Sequence, residues 1–290
     1  MKNLVLSCMM AVFMNMANAQ EPETVITYAA GDFLISILSE GGNRGNANLL
    51  KGATEEQLKK YLPDGTFPLE TQVFLVRTKD KNILIDTGYG KNLFKNLKSL
   101  GVDESQINVI LLTHLHGDHI GGMLRDGKAA FPNAEVYLSQ AEHDYWTSLT
   151  ERGENARKAL APYRDRLRIF TPAAPGETLP ELLPGIQAIA AYGHTPGHTA
   201  FLIRSDDSKW LVWGDVTHSM PIQMPCPDVA LSFDVNPEQA INTRKSILEY
   251  VVKHQITVGG MHIPFPAVGK VAKGKEEGYA FSPICLCEGI

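Results

Sequence analysis

The chain has 290 residues, with 27 Lys and Arg against 32 Asp and Glu and a formal charge of -5. Its 44% hydrophobic and 20% charged content is that of a folded globular protein, which excludes disordered, collagen-like and coiled-coil classes. The slight acidic excess argues against a nucleic-acid binder, and nine histidines against four cysteines are the counts that stand out.

The chain opens with one basic residue, Lys2, an apolar run from Leu4 to Met16, and Ala17-Asn18-Ala19. This is the layout of a secretory signal peptide over residues 1–19, with residues 20–290 as the mature domain. It implies a periplasmic or secreted protein. The apolar run is too short for a stable membrane span, and no later stretch offers one. Export would remove Cys8 and leave Cys226, Cys285 and Cys287, an odd number. One bond from Cys226 to Cys285 or Cys287 is weighed equally against plain buried thiols.

Beyond the leader, strands and helices alternate. Phe33–Leu38 and Thr71–Arg77 read as strands. Residues 39–53, rich in Gly and Asn, read as a loop, and a short helix follows near Thr54–Lys60 with Thr54 as its cap. Ile83-Leu84-Ile85 is a strand that stops at Asp86-Thr87-Gly88. Asn92–Leu100 reads as helix, Ile107–Leu112 as a buried strand, and Ser139–Trp146 and Glu154–Leu160 as helices. Asn236-Pro237-Glu238-Gln239 opens a helix running to about His254. Phe74–Arg77 with Ile83–Asp86 resembles Phe201–Arg204 with Leu211–Asp215. Each pair reads as a hairpin whose second strand leads to an aspartate, as in two similar halves of one sandwich.

Chemistry concentrates at Thr113-His114-Leu115-His116-Gly117-Asp118-His119, directly after the buried strand. Three imidazoles and a carboxylate suit zinc and similar divalent ions. His114 and His116, two apart in extended chain, point the same way. Gly117 lets the chain turn and aim Asp118 and His119 at a second ion. Further metal-compatible residues stand at later strand ends: His194-Thr195-Pro196-Gly197-His198, Asp215 and His262.

This ordered set resembles the metallo-β-lactamase superfamily over about residues 70–265. The resemblance implies an α/β fold, the four-layered αβ/βα sandwich, with a dinuclear site along one edge. It implies two divalent metal ions, zinc first among the candidates. His114, His116 and His198 would hold one ion, Asp118, His119 and His262 the other, and Asp215 would bridge them with a hydroxide. It gives Asp118 a second role as proton carrier. Asp86 and His194 are expected to support the ligands rather than bind metal, and His143 and His254 to be solvated.

The bridging Asp215 counts against true β-lactam hydrolysis, since β-lactamases with this motif usually lack it. The resemblance is closer to methyl-parathion-hydrolase-like enzymes and N-acyl-homoserine lactone lactonases. Lactonases often carry Tyr three residues after the bridging aspartate. Here His218 stands there and is assigned as a substrate contact, since imidazole also donates. Trp146, Phe265 and Met220–Pro225 are expected to line an apolar pocket.

The implied activity is hydrolysis of a small ester, lactone or phosphotriester. The alternatives are a β-lactamase, a thioester hydrolase, or a non-catalytic metal-binding module. The partner expected is a small-molecule substrate and no nucleic acid, and a homodimer is left open.

Overall fold

The computed structural model describes residues 23–284. The leader segment and Cys285 and Cys287 lie outside the described residues. Two seven-stranded sheets carry the fold. In the first, β1 (Val25–Ala30), β2 (Phe33–Asn46), β3 (Thr66–Arg77), β4 (Asn82–Ile85), β5 (Val109–Leu111), β6 (Glu135–Ser139) and β7 (Leu167–Phe170) lie side by side in chain order. The second repeats this with β8 (Glu181–Leu183), β9 (Ile186–Ala190), β10 (Thr199–Ser205), β11 (Ser208–Val212), β12 (Thr257–Gly259), β13 (Val268–Lys273) and β14 (Tyr279–Pro283).

In each sheet an antiparallel hairpin, β3–β4 or β10–β11, is followed by a parallel neighbour, β5 or β12. A parallel neighbour requires a crossover, and the chain between the two strands supplies helices for the outer faces. The first sheet is buried on both sides, so β3 reads as a continuous apolar run. Its Phe74 and Val76 face the second sheet, whose Phe201, Ile203 and Val212 belong to the same core. Its Val73 and Leu75 face the other way, with Leu93 and Leu97 of α2 (Leu93–Ser99) and Trp146 of α4 (Gln140–Ser148). The second sheet is covered by the longest helix, α7 (Pro237–His254), through Ile247, Leu248 and Val251. The result is the αβ/βα sandwich.

Local signals fix the helix starts. Thr54 makes a reciprocal capping box with Gln57 at the start of α1 (Glu55–Tyr61). Ser139 caps α4 by accepting from the Glu142 N–H, and Asn236 caps α7 by accepting from the Gln239 N–H. Three further short helices are α3 (Gly117–Ile120), α5 (Glu154–Leu160) and α6 (Met220–Gln223).

The expected loop over 39–53 needs correction. Strand β2 continues to Asn46, paired with Thr66–Thr71 across an irregularity between Ser39 and Gly41. Residues 41–44 of this extension are exposed, so they carry no apolar alternation to betray a strand. Gly42 is there for space: a Cβ on it would lie 2.6 Å from the Glu70 Cα. Among the described residues, no helix is long and apolar enough to cross a membrane.

Candidate metal centre

The site lies where β4, β5, β11 and β12 end. From β5 the chain passes through Thr113 and His114, reaches His116 in extended backbone, and turns into the one-turn helix α3 with Asp118 and His119. The loop after β9 brings His194, β11 leads to Asp215, and β12 leads to His262.

Two groups of donors face each other across Asp215. In the first, His116 Nδ1 lies 3.0 Å from His114 Nε2 and 2.9 Å from His194 Nε2. Asp215 Oδ2 lies 3.1 Å from His194 Nε2 and 3.5 Å from His114 Nε2. In the second, Asp118 Oδ2 lies 3.4 Å from His262 Nε2 and 3.7 Å from His119 Nε2. Asp215 reaches this group too, with Oδ2 3.2 Å from His262 Nε2 and Oδ1 3.2 Å from His119 Nε2. His218 Nε2 approaches the same Asp215 Oδ2 at 3.1 Å, and its ring stacks on His262.

Most of these imidazoles spend their other nitrogen on a fixed partner. His119 Nδ1–H donates to Asp86 Oδ2 at 2.6 Å, and His194 Nδ1–H donates to Asp234 Oδ1 at 2.9 Å. His262 Nδ1–H donates to the Glu70 carbonyl at 2.6 Å, and His114 Nδ1 meets Thr113 Oγ1 at 3.0 Å. That hydroxyl in turn donates to Asp86. Such outer partners fix the ring and leave one lone pair for an ion. Two facing atoms, His119 Nε2 and Asp215 Oδ1, are buried with no hydrogen-bond partner at all. A divalent cation satisfies both, so the donor set fits two ions, with nitrogen and carboxylate ligands of the kind zinc takes.

The structure brings together His114, His116, Asp118, His119, Asp215 and His262, and does not bring His198 with them. His198 uses both nitrogens on backbone: Nδ1–H donates to the Ala191 carbonyl at 2.8 Å, and Nε2 accepts from the Asp215 N–H at 3.0 Å. His194, expected to be a supporting residue, occupies the third imidazole place in the first group. The spacing within His194-Thr195-Pro196-Gly197-His198 cannot reveal which end faces inward. The signal available was Asp234, a carboxylate able to orient one of them, but it lies 40 residues downstream.

Electrostatics divide the imidazoles. Burial pushes every one toward the neutral form. In His114 and His116 burial wins, helped by neighbouring imidazoles, and both lie well below the ordinary histidine value. Burial likewise takes His198 to about 3 and His218 to about 4. In His119, His194 and His262 the carboxylates outweigh burial; His194, beside Asp215 and Asp234, rises to about 9. Asp215 is held well below the usual carboxylate range, because the surrounding imidazoles overcome its burial.

The centre opens into a cavity of about 910 Å³. Its walls beyond the metal donors include Leu69, Tyr89, Tyr145, Arg152, Phe233 and Val235. Tyr89 and Phe233 are 50% and 47% exposed, which places them at the rim. The expected wall residues go elsewhere. Trp146 is buried behind His116 with its Nε1–H on Glu142, and Ile222 and Met224 pack in the core. Phe265 is packed against the inter-sheet core. An aromatic or apolar run in sequence does not distinguish a core wall from a cavity wall. His143 pairs with Asp144 on the surface, and His254 lies exposed at the end of α7, as expected for solvated residues.

A family model described as the metallo-beta-lactamase superfamily matches residues 66–253. An N-acyl homoserine lactonase of Bacillus cereus is 26% identical over 172 residues, 50% of this chain and 63% of that protein. This chain thus spans less than two thirds of that relative's length. An N-acyl homoserine lactonase of Bacillus thuringiensis is 23% identical, over 67% of this chain and 81% of that protein. Among solved structures, the hydrolase AbOPH of the beta lactamase superfamily superposes with a TM-score of 0.84 at 29% identity. That match covers 93% of this chain and 100% of the other. AidC, a dizinc quorum-quenching lactonase in complex with a product, gives 0.81 at 26% identity, over 91% and 98%. Fold, donor set and family model agree that the chain belongs to the metallo-β-lactamase superfamily of hydrolases.

Proposed function

We propose that this chain is an exported dinuclear hydrolase that opens small lactones, with small aryl esters or phosphotriesters as the second substrate class. The observation that carries the reading is the convergence of His114, His116 and His194 on one side of Asp215 and of Asp118, His119 and His262 on the other. In this reading these seven residues would hold two ions, zinc being the best match to their chemistry, with Asp215 within reach of both groups of donors. Two adjacent divalent ions supply Lewis acidity and an acidified water near neutral pH.

The chain's own groups do the rest. Asp118, the more accessible of the two carboxylate donors, has one side open to the cavity and is placed to take the proton of the attacking water. His218 faces the cavity beside Asp215 and is placed to donate to the substrate carbonyl or phosphoryl oxygen. Tyr89, Tyr145 and Phe233 offer apolar surface to an acyl or aryl group and keep water from it. The relatives named as lactonases support the first substrate class. His218, at the position where lactonases often carry Tyr, keeps the second class in view.

The test is metal titration of the chelator-stripped protein, followed by turnover on short- and long-chain acyl homoserine lactones, an aryl ester, a phosphotriester and a β-lactam. Two ions per chain and fastest turnover of a lactone are expected. Fewer than two ions, or a β-lactam as the best substrate, would overturn the reading. The export part is tested by locating the tagged full-length chain after cell fractionation; a cytoplasmic, unprocessed chain would refute it.

A further inference from the structure

One buried carboxylate near the site is not among the donors. Glu142, on the first turn of α4, is completely buried, and each of its oxygens accepts two hydrogen bonds. Oε1 accepts from the Leu115 N–H at 3.0 Å and from Trp146 Nε1–H at 2.6 Å. Oε2 accepts from Thr195 Oγ1–H at 2.7 Å and from the Gly197 N–H at 2.9 Å. Leu115 lies between His114 and His116, and Thr195 directly follows His194. One carboxylate therefore joins the two loops whose imidazoles make the first group of donors.

The neighbouring contacts serve the same junction. Ser139, the cap of α4, donates from Oγ to the Gly197 carbonyl at 2.7 Å, so the helix start grips both backbone polar groups of Gly197. The approach is so close that a Cβ on Gly197 would lie 2.1 Å from the Glu142 nitrogen. Trp146, held by Glu142, stands edge-on to the His116 ring at 5.4 Å. None of these contacts reaches the second group. There His119 is fixed by Asp86, and His262 by the Glu70 carbonyl.

We propose that Glu142 is a positioning residue for the first ion alone: it clamps the 114–116 loop to the 194–197 loop and so sets the separation of His114, His116 and His194. This rests on the two-ion reading above. A carboxylate suits the task because it presents only acceptors to four donors, and burial makes each charge-assisted bond count. Glutamine would place an NH₂ against two of those donors and release one loop.

The experiment is chelator competition on the full mature chain loaded with Co²⁺, reading the two dissociation steps by the cobalt visible spectrum. His194→Ala identifies the step that belongs to the first group. Glu142→Gln is expected to weaken that same step by roughly tenfold or more while leaving the other within about threefold. His262→Ala, which removes a donor of the second group only, is expected to do the reverse. Thr195→Val, which removes one of the four bonds, gives a smaller shift of the first step and serves if Glu142→Gln does not fold, as judged by melting of the metal-free protein. Equal weakening of both steps, or of neither, would overturn the clamp. A parent protein that binds no metal would instead sink the hydrolase reading itself, and the clamp with it.

Discussion

In the first sheet Phe74 pairs with Ile85, and Ile85 with Leu111; in the second, Phe201 pairs with Val212, and Val212 with Gly259. On this common frame His114 and His262 occupy matching places, each three residues past the parallel strand's last paired residue. They serve opposite sides of the centre. The aspartates do not match. Asp86 directly follows Ile85 and itself adopts the left-handed turn, with φ 60°. In the second sheet Trp213 stands in that place, Gly214 takes the left-handed turn with φ 61°, and Asp215 comes three residues past Val212. Two extra residues past the hairpin strand carry Asp215 into the centre, while Asp86 stays behind His119. Gly214 also explains His198: a Cβ there would lie 2.3 Å from His198 Nε2, which accepts the Asp215 N–H. His198 is the buried brace of the turn that delivers Asp215.

The sharpest way to break this comparison is to neutralise each aspartate in turn. Asn keeps the shape and tolerates the left-handed backbone at 86. Asp215→Asn is expected to lower kcat/KM and metal affinity by well over 100-fold. Asp86→Asn, acting through His119, should cost roughly 10–100-fold. Equal losses, measured by metal titration and steady-state kinetics on the best substrate, would dissolve the distinction between a bridging and an orienting carboxylate.

The two histidines of the second half sharpen it further. His194→Ala should leave one ion per chain by elemental analysis. His198→Ala should keep both and instead lower stability by on the order of 2–4 kcal/mol, because it empties a buried site and strips two backbone partners. Loss of an ion in His198→Ala and not in His194→Ala would reverse their roles.

A smaller effect is expected from pH. In the metal-free protein the folded His194 titrates at about 9, above the ordinary 6.5. Its ion pairs with Asp215 and Asp234 therefore stabilise fully below pH 6.5 and fade as pH rises toward 9. His194 should contribute a loss of up to about 3 kcal/mol across that window in the chelated protein, and His194→Gln should make the profile shallower, His119 and His262 keeping the rest. A melting temperature that rises from pH 6.5 to 9 would contradict this sign.

Much of the frame was legible before any coordinates. Caps at Thr54, Ser139 and Asn236 announce helices, and apolar runs announce β3, β5 and β10, because these signals are local. The extension of β2 was hidden since its partner lies across a loop and its side chains face water. The six-residue motif after β5 is legible because its donors sit on one short segment. The choice between His194 and His198 is not, because it depends on Asp234, Ala191 and the Asp215 N–H, which tertiary folding brings in from three other places. The cavity rim was missed for a related reason: Tyr89 stands alone between glycines, and the alternation Leu231, Phe233, Val235 marks an extended segment without saying that it borders a cavity. Glu142 looked like an ordinary charged residue on a helix, and only its complete burial reveals otherwise.

The donors that converge on Asp215 come from chain segments far apart. His116 and His194 are 78 residues apart, and His262 lies 47 residues beyond Asp215. An ion held by either set would act as a removable cross-link, tying the end of one sheet to the end of the other. The unfolded chain offers no such preformed grip, so ion binding adds directly to folding stability. The same atoms that would activate a water would thus also staple the two sheets, and stripping such ions would loosen the seam between them as well as stop the proposed chemistry.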